Sequence, residues 1–207
     1  QVFGPLWEWI WIACYVNKPE FGIECVTKVV DAAIKNGVYV IIDWHSHNLR
    51  QEEAKEFFTQ MATRYKGVPN VIYEVFNEPV EDSWEQVKSY SVEVIKTIRA
   101  IEPDAVILVG CPHWDQDIHL AADDPITGYS NIMYTLHFYA NTHGQWLRDR
   151  ADYALGKDLP IFVSECAGME ASGDGPINKE EWGIGWSGCS GIPSAGWPGL
   201  CLTRMRL

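Results

Sequence analysis

From Phe21 to about Glu180 two hydrophobic periods alternate along the chain, and they predict helices and buried strands in turn. Phe21 to Asn36 places Val26, Val29, Val30, Ala33 and Ile34 on one helical face, and Gly37 follows as a stop before an apolar strand, Val38 to Asp43. The next helix, Gln51 to Tyr65, turns Ala54, Phe57, Phe58 and Met61 inward and leads through Gly67 and Pro69 to a strand ending at Glu78. A third helix starts near Asp82 or Ser83, either of which can cap it, and carries Trp84, Val87, Val94, Ile95 and Ile98 inward. Three more strands are predicted at Ala105 to Val109, Ile132 to Tyr139 and Ile161 to Ser164.

Helices alternating with apolar strands imply an α/β fold with right-handed crossovers and a parallel sheet. Five such strands suit either an open doubly wound sheet or part of a closed (β/α)8 TIM barrel. An open sheet gathers its ligand groups at one switch point. Here polar or aromatic residues follow successive strands: Trp44-His45, Asn77-Glu78, Trp114, His137 with Tyr139, and Glu165. That favours the barrel, whose rim brings all of them together.

Two of these residues define a chemistry. Glu78 and Glu165 each stand at the end of an apolar run, where a barrel keeps its reactive groups, and two carboxylates about 5 Å apart can cleave a glycosidic bond with retention. An acid that must stay protonated near neutral pH is favoured by burial beside a second carboxylate, and hydrogen bonds keep a nucleophile ionised. Tyr139 is the candidate donor to the nucleophile.

Composition narrows the rest. The chain has 207 residues, 47% of them hydrophobic, which suits a single domain with one sizeable core. Its formal charge of −12 has no basic cluster to offset it, so nucleic acid and anionic membranes are repelled. No apolar stretch approaches the roughly 20 residues that cross a bilayer, and the N-terminus shows no export signal. Six cysteines without a Cys-x-x-Cys pair indicate neither zinc nor a disulfide scaffold, and most are expected to be buried small residues. Ten Trp, nine Tyr and seven Phe suit the apolar faces of sugars as well as core packing.

Asp43-Trp44-His45, Asn77-Glu78-Pro79, His137-Phe138-Tyr139 and Ser164-Glu165, in this order, resemble glycoside hydrolase family 5, most closely its bacterial endoglucanase branch. The similarity runs from about Tyr15 to Trp182. It implies Glu78 as acid/base and Glu165 as nucleophile, with Asn77 on the sugar 2-hydroxyl, His45 and His137 at the cleaved bond, and Trp114 as an aromatic platform. It further implies a monomeric endo-β-1,4-glucanase that needs no cofactor and acts on extracellular β-glucan, polymeric glucan being unable to enter a cell. Mannanases, xyloglucanases and an inactive sugar-binding barrel remain alternatives. A metal-dependent hydrolase built on His45 and His47 is another, because two imidazoles two residues apart can share an ion. His113, His119 and His143 are expected at the surface or in loops.

Both ends depart from the family pattern, which lacks counterparts here for its first strand, an arginine of its second strand and a tryptophan of its eighth. The barrel is therefore expected to be incomplete at strands 1, 2 and 8. Back-translating Trp186 to Leu207 and reading two nucleotides later permits a segment like the family's last helix and eighth strand. The same offset applied from Val2 into Ile12 permits a segment like its second strand, so a shifted reading frame is expected at both ends.

Overall fold

A computed structural model describes residues 15–190 and the pair 204–205. Six helices and six strands alternate: α1 (Pro19–Lys35), β1 (Val40–Asp43), α2 (Gln51–Arg64), β2 (Val71–Glu74), α3 (Trp84–Arg99), β3 (Val106–Val109), α4 (Ile118–Asp123), β4 (Ile132–Tyr139), α5 (Gln145–Leu155), β5 (Ile161–Ala167), α6 (Lys179–Ser190) and β6 (Arg204–Met205). The helices start and stop for local reasons. Pro19 opens α1, which needs no N–H at its first position, and Gly37 takes a φ of +66° just beyond its end. Ser83 caps α3 by a reciprocal box, its side chain accepting from the Gln86 N–H while Gln86 accepts from the Ser83 N–H.

All six strands are parallel and lie in chain order, β1 to β6, with no reversal. A doubly wound sheet requires a switch point where strand order reverses, so this is the barrel alternative, a (β/α)8-type sheet of which five longer strands and one two-residue strand are described. Strand alternation divides the interior into two layers. Ile42, Tyr73, Ile107 and Val163 point outward into the large core against the helices, whereas Ile72, Leu108 and Phe162 form a small cluster on the other face, with Ile41, Val106 and Met133 against it.

That inner face carries the function. Two residues beyond Ile41, Ile72, Met133 and Phe162, in the direction of the strands' C-terminal ends, stand Asp43, Glu74, Thr135 and Ser164, so the inner layer passes from apolar to polar within one alternation. Between β4 and β5 the register slips. Thr135 pairs with Phe162 and His137 with Glu165, two residues against three, a bulge of the kind that re-aims side chains.

Several predicted features shift. β5 continues to Ala167, so Glu165 lies inside the strand rather than after it, and β2 ends at Glu74. The segment beyond β2 bends at Val75 and Asn77 and bonds to the loop after β1, with Asn77 N–H on the Trp44 carbonyl at 3.1 Å and Glu78 N–H on that of Ser46 at 3.3 Å. Val29 is 64% exposed instead of inward, because what packs on α1 among the described residues covers only its Val26 and Val30 side. Cys111 and Cys166 are buried as expected, and Cys25 is partly so. The segment from Val2 to Ile12 lies outside the described residues, as does most of Trp186 to Leu207.

Candidate active site

Asn77 and Glu78 follow β2, His137 and Tyr139 end β4, and Ser164 and Glu165 belong to β5, so β2 and the adjacent pair β4 and β5, with β3 between, deliver the central groups to one rim. All are buried, Glu78 being 8% exposed and Glu165 4%. One ligand atom each from Glu78, His137 and Glu165 lies within 4.8 Å of the other two. The two glutamates predicted 87 positions apart in the chain therefore face one another.

His137 is the hub between them. Its Nδ1 lies 2.8 Å from Glu78 Oε1, and its Nε2 lies 2.8 Å from Ser164 Oγ, 3.3 Å from Asp115 Oδ2 and 3.9 Å from Glu74 Oε1. Burial works against a charge on this imidazole. The carboxylates of Asp115, Glu74 and Glu78 outweigh it, and they lift His137 well above the ordinary histidine range. Burial likewise raises the carboxyls of Glu74 and Asp115, Asp43 adding to the effect on Glu74, while His137 draws both back. Three buried titratable groups thus share protons directly behind Glu78. On the other side, the Tyr139 hydroxyl donates to Glu165 Oε1, as the sequence suggested.

The remaining predicted residues surround this pair. His45 is buried with Nδ1 2.7 Å from Asp43 Oδ2, a contact that fixes its ring. His47 Nε2 stands 3.8 Å from Glu78 Oε2. Asn77 is 2% exposed, and its amide Nδ2 has no hydrogen-bond acceptor among the described residues, so it is a buried donor left available to a ligand. Trp114 is 39% exposed and its N–H donates to the Pro79 carbonyl at 2.9 Å, which attaches it to the segment carrying Glu78.

Trp114 reaches that position through an unusual turn. His113, Trp114 and Asp115 have φ of 54°, 55° and 59°, three successive non-glycine residues in the left-handed region, each costing roughly 1–2 kcal/mol. Asp115 holds the turn closed, since its Oδ1 accepts from the Cys111 N–H while its Oδ2 faces His137. Space is also tight there. A Cβ on Gly110 would lie 2.4 Å from the Phe76 carbonyl oxygen.

Asp115, Glu74 and Ser164 were not anticipated. Glu74 and Ser164 had a signal, the two-residue step from Ile72 and Phe162; Asp115 had none, because nothing local marks a left-handed turn without glycine. His143 was expected near the surface but is 6% exposed, its Nδ1 accepting from the Tyr139 N–H at 2.7 Å. Among the described residues, the group able to hold a metal ion is Glu78, His137 and Glu165 rather than His45 with His47.

Parallel strands added in chain order, with two buried carboxylates converging at their C-terminal ends, are the architecture of the barrel-type glycoside hydrolases. Comparison with known proteins agrees. The chain belongs to the cellulase family, glycosyl hydrolase family 5, whose model matches residues 11–198 and so extends past both limits of the resemblance read from motifs. It is similar to endoglucanase Z of Dickeya dadantii, 47% identical over 170 residues that cover 81% of this chain and 40% of that protein. Endoglucanase A of Evansella cellulosilytica is 46% identical over 175 residues, covering 81% and 36%. Among solved structures, one from Cytophaga hutchinsonii superposes with a TM-score of 0.83 at 42% identity, covering 86% of this chain and 59% of that one. The Thermobifida fusca endoglucanase Cel5A E355Q in complex with cellotetraose gives 0.79 at 31%, covering 86% and 61%. The chain spans about 40% of the length of the curated relatives it matches. No helix among the described residues is long and apolar enough to cross a membrane.

Proposed function

We propose that the chain carries the catalytic pair of a retaining endo-β-1,4-glucanase. The observation that supports this best is the approach of Glu78 and Glu165 to within 4.8 Å, because retaining enzymes hold their carboxyls about 5–5.5 Å apart and inverting ones about 6.5–9.5 Å. Glu165 attacks the anomeric carbon while Glu78 gives its proton to the glycosidic oxygen, so that the carbon–oxygen bond breaks and a glycosyl ester forms on Glu165. Glu78, now a carboxylate, takes a proton from water, whose oxygen attacks the same carbon and releases Glu165.

The neighbours serve this cycle. Tyr139 steadies the negative charge on Glu165 before attack, and His137 orients Glu78 through Nδ1. Asn77 offers its unused amide donor to a sugar hydroxyl, His45 is held by Asp43 against the sugar at the cleaved bond, and Trp114 offers a ring face to the chain. The substrate is β-glucan, and the endoglucanase and cellulase names of the relatives support that choice. Action on a polymer places the protein outside the cell, as a monomer in one catalytic domain.

The test is reducing-sugar release from soluble β-glucan by the full chain and by Glu78→Gln and Glu165→Gln. Loss of at least roughly a thousandfold in both is expected, and in the corresponding alanine variants azide should yield a glycosyl azide of retained configuration when the acid/base is replaced and of inverted configuration when the nucleophile is. Equal hydrolysis by all three proteins overturns the assignment.

A further inference from the structure

A second exposed tryptophan stands on the same rim and takes no part in the proposed chemistry. Trp146 is the second residue of α5, just past the loop that leaves β4 at Tyr139, and it is 43% exposed. We propose that Trp146 is an additional sugar-binding platform, a subsite that holds a pyranose unit of a β-glucan chain beyond the two glutamates. The inference rests on the glucanase reading and extends its cleft.

The indole is built into the site from two directions. Arg150, one turn further along α5, lies with its guanidinium 5.0 Å from the ring centroid, and its Nη1 reaches the Gln116 carbonyl at 3.3 Å and Asp117 Oδ1 at 2.5 Å. Asp117 also holds His113, the neighbour of Trp114, so one carboxylate joins the supports of both tryptophans. From the other direction the His143 ring meets Trp146 edge-on at 5.7 Å, and His143 binds the Tyr139 backbone, whose side chain touches Glu165. Two ring contacts, 6.3 Å and 5.7 Å, thus lead from Tyr139 to Trp146.

Arg150 lies over the ring and His143 meets it at an interplanar angle of 64°, and 43% of the residue remains exposed. An unsupported surface tryptophan gains nothing for folding from such exposure, since burying its ring is what stabilises a core. A ring already immobilised by a cation and an aromatic edge instead lowers the ordering cost of binding. Its natural complement is the apolar C–H face of a β-linked glucose unit, uncharged and therefore indifferent to the acidic surface of this chain. Being two ring contacts removed from Tyr139, the platform acts on longer chains.

Calorimetric binding of cellohexaose and cellotriose to the full chain tests this in a Glu165→Gln background, where loss of the proposed nucleophile keeps turnover from interfering and affinity rather than rate is read. Trp146→Ala should lower the ratio of cellohexaose to cellotriose affinity roughly three- to tenfold, and Trp146→Phe should recover most of it. An unchanged ratio in Trp146→Ala, or equal loss for both sugars with Phe failing to restore the ratio, overturns the subsite. So does an absence of binding before Trp146 is altered. Failure of the glucanase reading is seen separately, as wild-type protein that releases no sugar.

Discussion

Gly110 should be irreplaceable even by alanine, and the reason lies in what it separates. It follows β3 and sits between the segment leading to Glu78 and the left-handed turn that carries Trp114 and Asp115. An alanine Cβ there would lie 2.4 Å from the Phe76 carbonyl oxygen, 3.0 Å from Pro79 Cδ and 3.3 Å from Asp115 Oδ1. The first of these atoms is backbone and cannot swing away, so Gly110→Ala must push β3's end from the Phe76–Pro79 segment. Overpacking of this kind costs about 1–3 kcal/mol, which for a chain near this length lowers the melting temperature by about 2–12 °C. Activity should suffer more. Phe76 immediately precedes Asn77 and Glu78, and a displacement of about 1 Å at a reacting group costs roughly a hundredfold in rate. Gly37→Ala is the matched control, because Gly37 has a φ of +66° but no atom within 4 Å of the added Cβ. It should lose about 1–2 kcal/mol to backbone strain and keep its rate per folded molecule. Thermal unfolding followed by circular dichroism, beside kcat/KM on soluble β-glucan at 25 °C, separates the two. Gly110→Ala with wild-type stability and rate, or Gly37→Ala with the larger loss of rate, would refute the reasoning.

Tyr139→Phe removes the hydroxyl that donates to Glu165, a charge-assisted hydrogen bond worth about 1.5–3 kcal/mol, so kcat should fall roughly 10- to 100-fold with the melting temperature little changed; a kcat within twofold of wild type counts against the role. His143 supplies a pH test. Burial, with His137 adding to it, depresses His143 to about 4. The unfolded chain therefore binds this proton first as pH falls, and the neutral histidine's contribution, about 3 kcal/mol, is complete above about 6.5 and disappears as pH drops toward 4. Glu74, Asp115 and His137, all raised, act in the opposite direction, but they are common to wild type and variant. His143→Gln keeps an acceptor for Tyr139 and should flatten the acid side of a melting temperature against pH curve; identical curves for the two proteins would exclude the linkage.

Legibility in the sequence followed the range of the interaction concerned. The strands and helices were readable because their periods are local, and the two glutamates because each ends an apolar run. Strand limits were less so: hydrophobicity shows that Val71 to Phe76 is buried, but β2 ends at Glu74, and beyond the Val75 N–H, which still reaches the Leu108 carbonyl, the Asn77 and Glu78 N–H groups find the Trp44 and Ser46 carbonyls of another loop. The position of Glu165 inside β5 depends on a bulge between Thr135 and His137 that no residue type announces. His137 was predicted to meet the sugar, yet both ring nitrogens are directed at protein groups, since Asp115 and Ser164 approach it from β3 and β5 over 22 and 27 positions of sequence.

The same distinction separates the site from its frame. Asp43, His45, Glu74, Glu78, Asp115, His137, Tyr139, Ser164 and Glu165 all lie on or just beyond β1 to β5, and contacts among them cross those strands. The flank beside β1 is different. Val16, Phe21, Val29, Val38 and Tyr39 are between 40% and 64% exposed, and among the described residues β1 pairs with β2 alone. The groups that hold Glu78 and Glu165 thus gather on β2 to β5, away from this flank. Stability and catalysis should for that reason respond to different residues: changes around β1 and α1 act on how much of the chain is folded, and changes around β2, β4 and β5 act on what the folded chain does.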